Sequence, residues 1–369
     1  MTTARRFAFL ALPLLAIALT ACESSTTGLD ERDLATMAAL EGPFELSPAV
    51  FDIDATPAGT IVAAENATIK EIRKNGLVEL VEVPTIPGVA VNGIEAIGRG
   101  NFFATSAGLD QAEGAGLWRV SPGGARQVGD IEAFETEVDP DANVGPGWKD
   151  PACEALPGFT AGPQSNPYHL AVLSGSETLI ADAAGNTLLH ATTDGRIDTV
   201  AVFTPPLDEA TDDWRVLFEL TDGTPCYVQP VPTSVDVGPE GAYYVGELTG
   251  APATPGMSRI WRIESGSRGV TCPSDACTEV ASDLTSILDV EFGPDGFLYV
   301  VEMDANGWLA ATTGDAIGGT VKRCDVETGV CTTVEDGLEL PGAITFDGRG
   351  TMWLLESGIV TPTVRAIEP

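Results

Sequence analysis

Two stretches decide the fold: Pro232-Thr-Ser-Val-Asp-Val-Gly-Pro-Glu-Gly-Ala-Tyr-Tyr-Val-Gly-Glu247 and Ile287-Leu-Asp-Val-Glu-Phe-Gly-Pro-Asp-Gly-Phe-Leu-Tyr-Val-Val-Glu302. Each reads as strand, tight turn, strand. Val235 and Val237, like Val290 and Phe292, recur at a spacing of two and share one strand face, while Gly-Pro-Glu-Gly and Gly-Pro-Asp-Gly supply the turn. Weaker copies start near Phe51, Ile94, Tyr168 and Ile344, making six in all. Each is followed by a third strand, such as Leu117-Trp118-Arg119-Val120 or Ile260-Trp261-Arg262-Ile263. In the first five a fourth follows, as at 78–83 and 197–203. Such units repeated radially describe an all-β chain: a six-bladed β-propeller of four-stranded antiparallel blades, one domain over 41–369. The sixth copy ends at Ile367 without its fourth strand, so the segment around Phe44 to Leu46 is expected to supply it and close the ring.

If the strands of a blade are lettered A to D from the axis outward, A–B and C–D turns share one face. B–C loops and D-to-A connections share the other. The long segments 107–116, 248–258 and 303–319 are B–C loops, and 135–165 and 204–231 are D-to-A connections, so all five crowd one face. Long loops on a rigid scaffold carry function, and this face is the expected binding face.

The N-terminus reads as an export signal. Arg5 and Arg6 precede an apolar run from Phe7 to Leu19, too short to span a bilayer comfortably, and Leu19-Thr20-Ala21-Cys22 resembles the lipobox of bacterial lipoproteins. Residues 1–21 are therefore expected to be removed, Cys22 to carry lipid, and 22–40 to act as lipidated N-terminus and tether, with the Ser/Thr-rich stretch 24–28 flexible. The address is the cell envelope, lipid-anchored and extracytoplasmic, with the lipid as the only membrane contact. Glu23 rather than Asp after the cysteine favours an outer membrane where the cell has two. The formal charge of −35 becomes −37 once Arg5 and Arg6 are gone, and a sequence pI of 4.1 excludes nucleic acid as a partner.

Six cysteines remain after Cys22, an even number in an exported chain, and read as sequential disulfides: Cys153 with Cys226, Cys272 with Cys277, Cys324 with Cys331. A zinc site has neither a CxxC pair nor a nearby histidine in its favour.

In four copies an acid stands six residues past the turn glycine: Glu65, Glu247, Glu302 and Glu356. Asp182 holds that place in the third copy and Ser106 in the second. The position ends strand B on the loop-rich face, where converging carboxylates need a cation, a raised pKa or local hydrogen bonds. With Asn92, Asn166 and Thr233 at the entries of strand A, these oxygens suit calcium or another divalent cation, with Glu247, Glu302, Asn92 and Asn166 as the metal candidates. The plainer reading has the acids support the turns that follow them, which fits Glu65 and Asp182 better than Glu247 and Glu302. Asp139, Asp141, Asn143 and Asp150 have the spacing of a calcium loop, but Val144 takes the glycine position and prolines interrupt it, so a solvated acidic loop is expected. His169 is the candidate general base, and Tyr168 beside it, with Trp148, Trp214 and Trp308 in the long loops, could grip a ligand. No Gly-x-Ser-x-Gly elbow occurs. Trp118 and Trp261 recur in strand C and suit packing between blades.

Ser-Asn-Pro-Tyr at 165–168, Ala-Asp-Ala-Ala-Gly-Asn at 181–186, Val-Pro-Thr-Ser-Val at 231–235 and Tyr-Val-Gly-Glu-Leu-Thr-Gly at 244–250 resemble the ScyD/ScyE family across 46–367. The resemblance implies an NHL/SMP-30-like propeller, and some members of that family are associated with assembly of the pigment scytonemin. Two functions follow as expectations: a binding module that takes a small molecule or protein on its loop-rich face, and a metal-dependent enzyme, lactonase-like or coupling phenols oxidatively.

Overall fold

The computed structural model describes residues 42–98, 100–108, 113–142, 151–153, 162–208 and 210–368. Cys22, the signal and tether segments, Asn143, Trp148 and Asp150 lie outside the described residues.

Six antiparallel blades of four strands surround one axis. The first is Val50–Ala55, Ile61–Glu65, Thr68–Arg73 and Gly76–Glu82; the second Val89–Gly98, Asn101–Gly108, Gly116–Ser121 and Gly124–Asp130. The third is Pro167–Ser174, Glu177–Asp182, Thr187–Thr192 and Ile197–Phe203; the fourth Pro232–Val237, Tyr243–Glu247, Ser258–Ile263 and Cys277–Leu284. The fifth is Ile287–Phe292, Leu298–Glu302, Gly319–Asp325 and Val330–Leu338. The sixth takes Pro341–Phe346, Met352–Glu356 and Thr363–Ile367 from the end of the chain and Phe44–Glu45 from its beginning, with Phe44 opposite Val364. The ring closes as the incomplete sixth copy requires.

The repeat makes its turns where expected. In Gly238-Pro-Glu-Gly241 the Gly241 amide donates to the Gly238 carbonyl at 2.8 Å with φ of 85°, a conformation that costs glycine nothing; Gly296 repeats it at 2.9 Å and 81°. The core lies between blades. Leu179 and Phe203 of the third blade pack with Val235 and Trp261 of the fourth, and Val62 and Ile69 of the first with Phe102 and Trp118 of the second. Both strand-C tryptophans thus take the interblade place.

Every A–B pairing slips register near the start of strand A, for instance between Val50 and Ile53 and between Ile287 and Asp289. Such bulges re-aim side chains, and here they recur at the mouth of the channel.

Three connections depart from the simple plan. Strand D of the second blade runs directly into a helix, α1 (Ile131–Val138), whose N-cap Asp130 accepts from the Ala133 amide. Segment 204–231 holds a hairpin of Val216–Glu219 and Pro225–Tyr227. The C–D loop of the fourth blade lends Val270–Cys272 as a parallel fifth strand to the outer edge of the third, covering an edge that would otherwise be free. All three disulfides form: Cys153–Cys226, Cys272–Cys277 and Cys324–Cys331. They are compatible with an extracytoplasmic protein. Among the described residues no helix is long and apolar enough to cross a membrane.

Candidate functional site

Strand A lines the axis, and its chemistry is the feature that sequence reasoning missed. Val235 and Val237 face the blade interior, so Asp236 between them faces the channel. The same alternation turns Asp52, Asp54, Glu95, Asp289 and Glu291 inward. The signal is an acid inside the apolar alternation of strand A in the first, second, fourth and fifth blades, overshadowed by the apolar residues that flank it.

Five of these acids staple a blade to the next, the first to the second, the fourth to the fifth and the fifth to the sixth. Asp52 accepts from the Ile94 amide at 2.7 Å and Asp54 from Ala96 at 2.6 Å; Asp236 accepts from Phe292 at 2.7 Å, Asp289 from Ile344 at 2.8 Å and Glu291 from Phe346 at 3.1 Å. Crowding and burial set their protonation. Burial lifts Asp54 to about 7 and Asp236 to about 6 against the pull of those amides. Burial, with repulsion from Asp54 and Asp236, holds Glu95 and Glu291 well above the usual carboxylate range.

His169 sits at the upper end of this ring, 3 % exposed and stacked on Tyr168 at 4.9 Å. Nδ1 lies 3.0 Å from Asp289, and Nε2 lies 3.4 Å from the Phe51 carbonyl and 3.8 Å from Asp52. Burial pulls its pKa down, but attraction to Asp52 and Asp289 carries it up to about 9. The cation in turn holds Asp289 below its ordinary value, whereas burial lifts Asp52 to about 7. At neutral pH this imidazolium keeps its proton and stands in the channel as a fixed charge.

The acids ending strand B follow one rule. The strand-C residue opposite the position two before the acid reaches diagonally to it. Lys70, opposite Ala63, bonds Glu65; Lys322, opposite Val300, bonds Glu302 at 2.8 Å; Arg365, opposite Leu354, bonds Glu356 at 2.7 Å. Trp261, opposite Val245, donates to Glu247 at 2.6 Å, and Trp118, opposite Ala104, donates to Ser106 at 2.9 Å. Glu247, fully buried, also holds Arg259 through Nε at 2.7 Å and Nη2 at 3.2 Å. Glu302 takes the Thr285 amide at 2.6 Å as well. The two glutamates among the four expected metal ligands are thus engaged with cations of their own blades.

Asp182 is the exception. Opposite Ile180 stands Leu189, which has nothing to donate. Oδ1 of Asp182 accepts from the Asn166 amide at 2.7 Å and the Gly185 amide at 3.2 Å, while Oδ2 has no hydrogen-bond partner among the described residues. Burial raises this carboxyl to about 6.

The neutral candidates come together only in part. The Asn92 amide donates to Asn166 Oδ1 at 2.9 Å, joining the entries of the second and third blades. Thr233 is turned away from them, donating to the Ile287 carbonyl at 2.8 Å. Trp308 donates to the Thr249 carbonyl at 3.0 Å and so links two long B–C loops, and Trp214 packs edge-on against Tyr227 at 5.5 Å in the hairpin insertion. The acidic loop is not solvated at Asp141, which is 2 % exposed and accepts from Asn186 Nδ2 at 3.0 Å. With Glu135 and Asp139 it forms a group of carboxylates whose oxygens lie within 4.8 Å of one another, a cluster able to hold a metal ion.

No family model matches the chain, and no curated protein matches it. Among solved structures, the PQQ-bound aldose sugar dehydrogenase of Streptomyces coelicolor is similar over 89% of this chain and 97% of its own, at TM-score 0.51 and 12% identity. Virginiamycin B lyase from Staphylococcus aureus with quinupristin is similar over 87% of this chain and 82% of its own, at TM-score 0.48 and 16% identity. At these identities the likeness to the dehydrogenase shows the propeller fold alone.

Proposed function

We propose that this chain is an exported, lipid-anchored propeller that binds a small molecule or a protein on the face where its insertions gather. The observation that carries the reading is the Cys153–Cys226 bridge, which ties the insertion entering the third blade to the one leaving it. A cross-link between two long loops on one face fixes that face in advance, and binding surfaces gain from such preorganisation. The acids that an enzyme would use are engaged instead: Glu247 with Arg259, Glu302 with Lys322, and the channel acids with backbone amides. Its export motif and cysteines support the envelope address, and the motifs at 165–168, 181–186, 231–235 and 244–250 support a place beside ScyD/ScyE proteins.

The test is a thermal-shift screen of phenolic, lactone and sugar compounds on the signal-free protein, run with calcium and after chelation, beside turnover assays on the same compounds. Stabilisation that is lost in Trp308→Ala and in the Cys153→Ser/Cys226→Ser pair, without turnover, supports binding. Turnover that disappears in Glu247→Gln would sink it in favour of the metal-dependent enzyme. Separately, Cys22→Ser is expected to move the full-length protein from the membrane fraction to the soluble one.

A further inference from the structure

We propose that the third blade holds a calcium ion, independent of the ligand face reading, between Asp182 and the cluster of Glu135, Asp139 and Asp141. The cluster alone would not carry this. Asp182 adds an independent observation: in the five other blades the residue at this place has a strand-C donor, and here that donor is replaced by Leu189. Its side chain is fully buried, its Oδ1 is pinned by two amides, and its Oδ2 is left without a hydrogen-bond partner among the described residues. A buried carboxylate oxygen in that state needs a cation or a proton.

That oxygen faces the cluster. A β-carbon at Gly185 would lie 3.3 Å from Asp182 Oδ2 and 3.2 Å from Glu135 Oε2, so the glycine keeps open the space both carboxylates border. Across the ladder Thr187 pairs with Asp182 and so shares its sheet face, and its hydroxyl is also buried without a partner among the described residues. Asn186, in the same turn, donates to Asp141 Oδ2 and accepts from the Val231 amide, fixing one ligand from outside and linking the site to the next connection.

Charge points the same way. Helix α1 ends at Val138 with no basic residue in its last turn, so its C-terminal dipole adds negative potential where the acids already gather. Between Arg126 and Arg196 the sequence has a single lysine, Lys149, and no arginine. Four carboxylates with a hydroxyl make an all-oxygen donor set, which suits calcium better than magnesium, since magnesium demands a strict octahedron and keeps several waters. The ion would join the connection entering the third blade to its B–C turn, beside the bridge from Cys153 to Cys226.

The test uses the oxidised, signal-free protein after chelation, titrated with calcium chloride by calorimetry and followed by thermal denaturation. We expect one calcium per chain with a dissociation constant of about 10⁻⁴ to 10⁻³ M, as in extracellular calcium modules, and a rise in Tm that magnesium does not match. Asp182→Asn and Asp141→Asn should abolish it. Gly185→Ala keeps every carboxylate but fills the space between them, and should weaken binding on the order of tenfold or more. Glu247→Gln should bind calcium as the parent does, which separates this site from the strand-B acids and from the enzyme reading. No uptake by the parent protein overturns the proposal and leaves a proton to balance the charge. Uptake that survives both Asp182→Asn and Gly185→Ala overturns it as well, and should either variant fail to fold, the parent titration and the other variant decide.

Discussion

Glu247 and Glu302 occupy equivalent places in adjacent blades, yet their substitutions should not cost the same. Glu247→Gln keeps an acceptor for the Trp261 indole but leaves Arg259, 7 % exposed, without a counter-charge. Breaking a buried pair from one side costs about 3 to 5 kcal/mol. Lys322, whose side chain is 21 % exposed beside Glu302, can turn toward water, so Glu302→Gln should cost about 1 to 2 kcal/mol. Urea midpoints at unchanged slope measure both, and equal losses would contradict the argument. The acids themselves are legible in the sequence because they stand at a constant distance from the turn glycine. Their partners are not. In the four blades with an acid–cation pair, the intervening B–C loop differs in length, so Lys70, Arg259, Lys322 and Arg365 follow their acids by no fixed spacing. Only the cross-strand register brings them together, and register is a property of the folded sheet.

At the scale of elements, the sequence pattern assigns the long connections to one face but does not disclose their contents. Helix α1 has eight residues with only Ile131 and Glu135 buried, too short a run for a helical period to stand out from the loop around it. The parallel strand Val270–Cys272 has three residues and belongs to a neighbouring blade, which no local pattern can announce. The cysteines, by contrast, carry their own geometry of loop closure. The Cys153–Cys226 bridge closes 73 residues, against 5 and 7 for the others, so chain entropy assigns it about 4 kcal/mol and each short bridge about 2 kcal/mol. Serine pairs made one bridge at a time should therefore lower the denaturation midpoint most for Cys153/Cys226. The sixth blade offers a second check on connectivity. Phe44 packs on Trp353 at 6.3 Å from a two-residue strand, so Phe44→Ala should weaken ring closure by about 2 kcal/mol, and a Tm unchanged from the parent would mean the ring is held without that strand.

The whole molecule concentrates acid twice, on its surface and along its axis, and the axis decides how stability follows pH. Asp54 and Asp236 titrate near 7 and 6 in the folded chain against an ordinary 3.8, so between about pH 4 and 7 the folded state holds more protons than the unfolded one. Glu95 and Glu291 act in the same sense. Stability from these groups is therefore full at low pH and is lost as pH rises. His169 also loses its contribution upward: folded near 9 and 6.5 when unperturbed, it stabilises fully below about 6.5 and ceases to do so as pH passes 9. Asp289, held low by His169, works the other way and loses its contribution as acid protonates it. A tenfold difference in proton affinity between the folded and unfolded chain is worth about 1.4 kcal/mol, and less where solvent screens the half-buried members. Two opposing limbs place maximal stability at mildly acid pH, with Tm falling steadily toward pH 9. Glu95→Gln and Glu291→Gln, which remove a channel charge, should raise Tm at pH 8 and leave it nearly unchanged at pH 5. A parent Tm that rises from pH 5 to 8, or variants that shift both values equally, would show that the channel charges are neutralised by something other than protons, a cation on the axis being the first to look for.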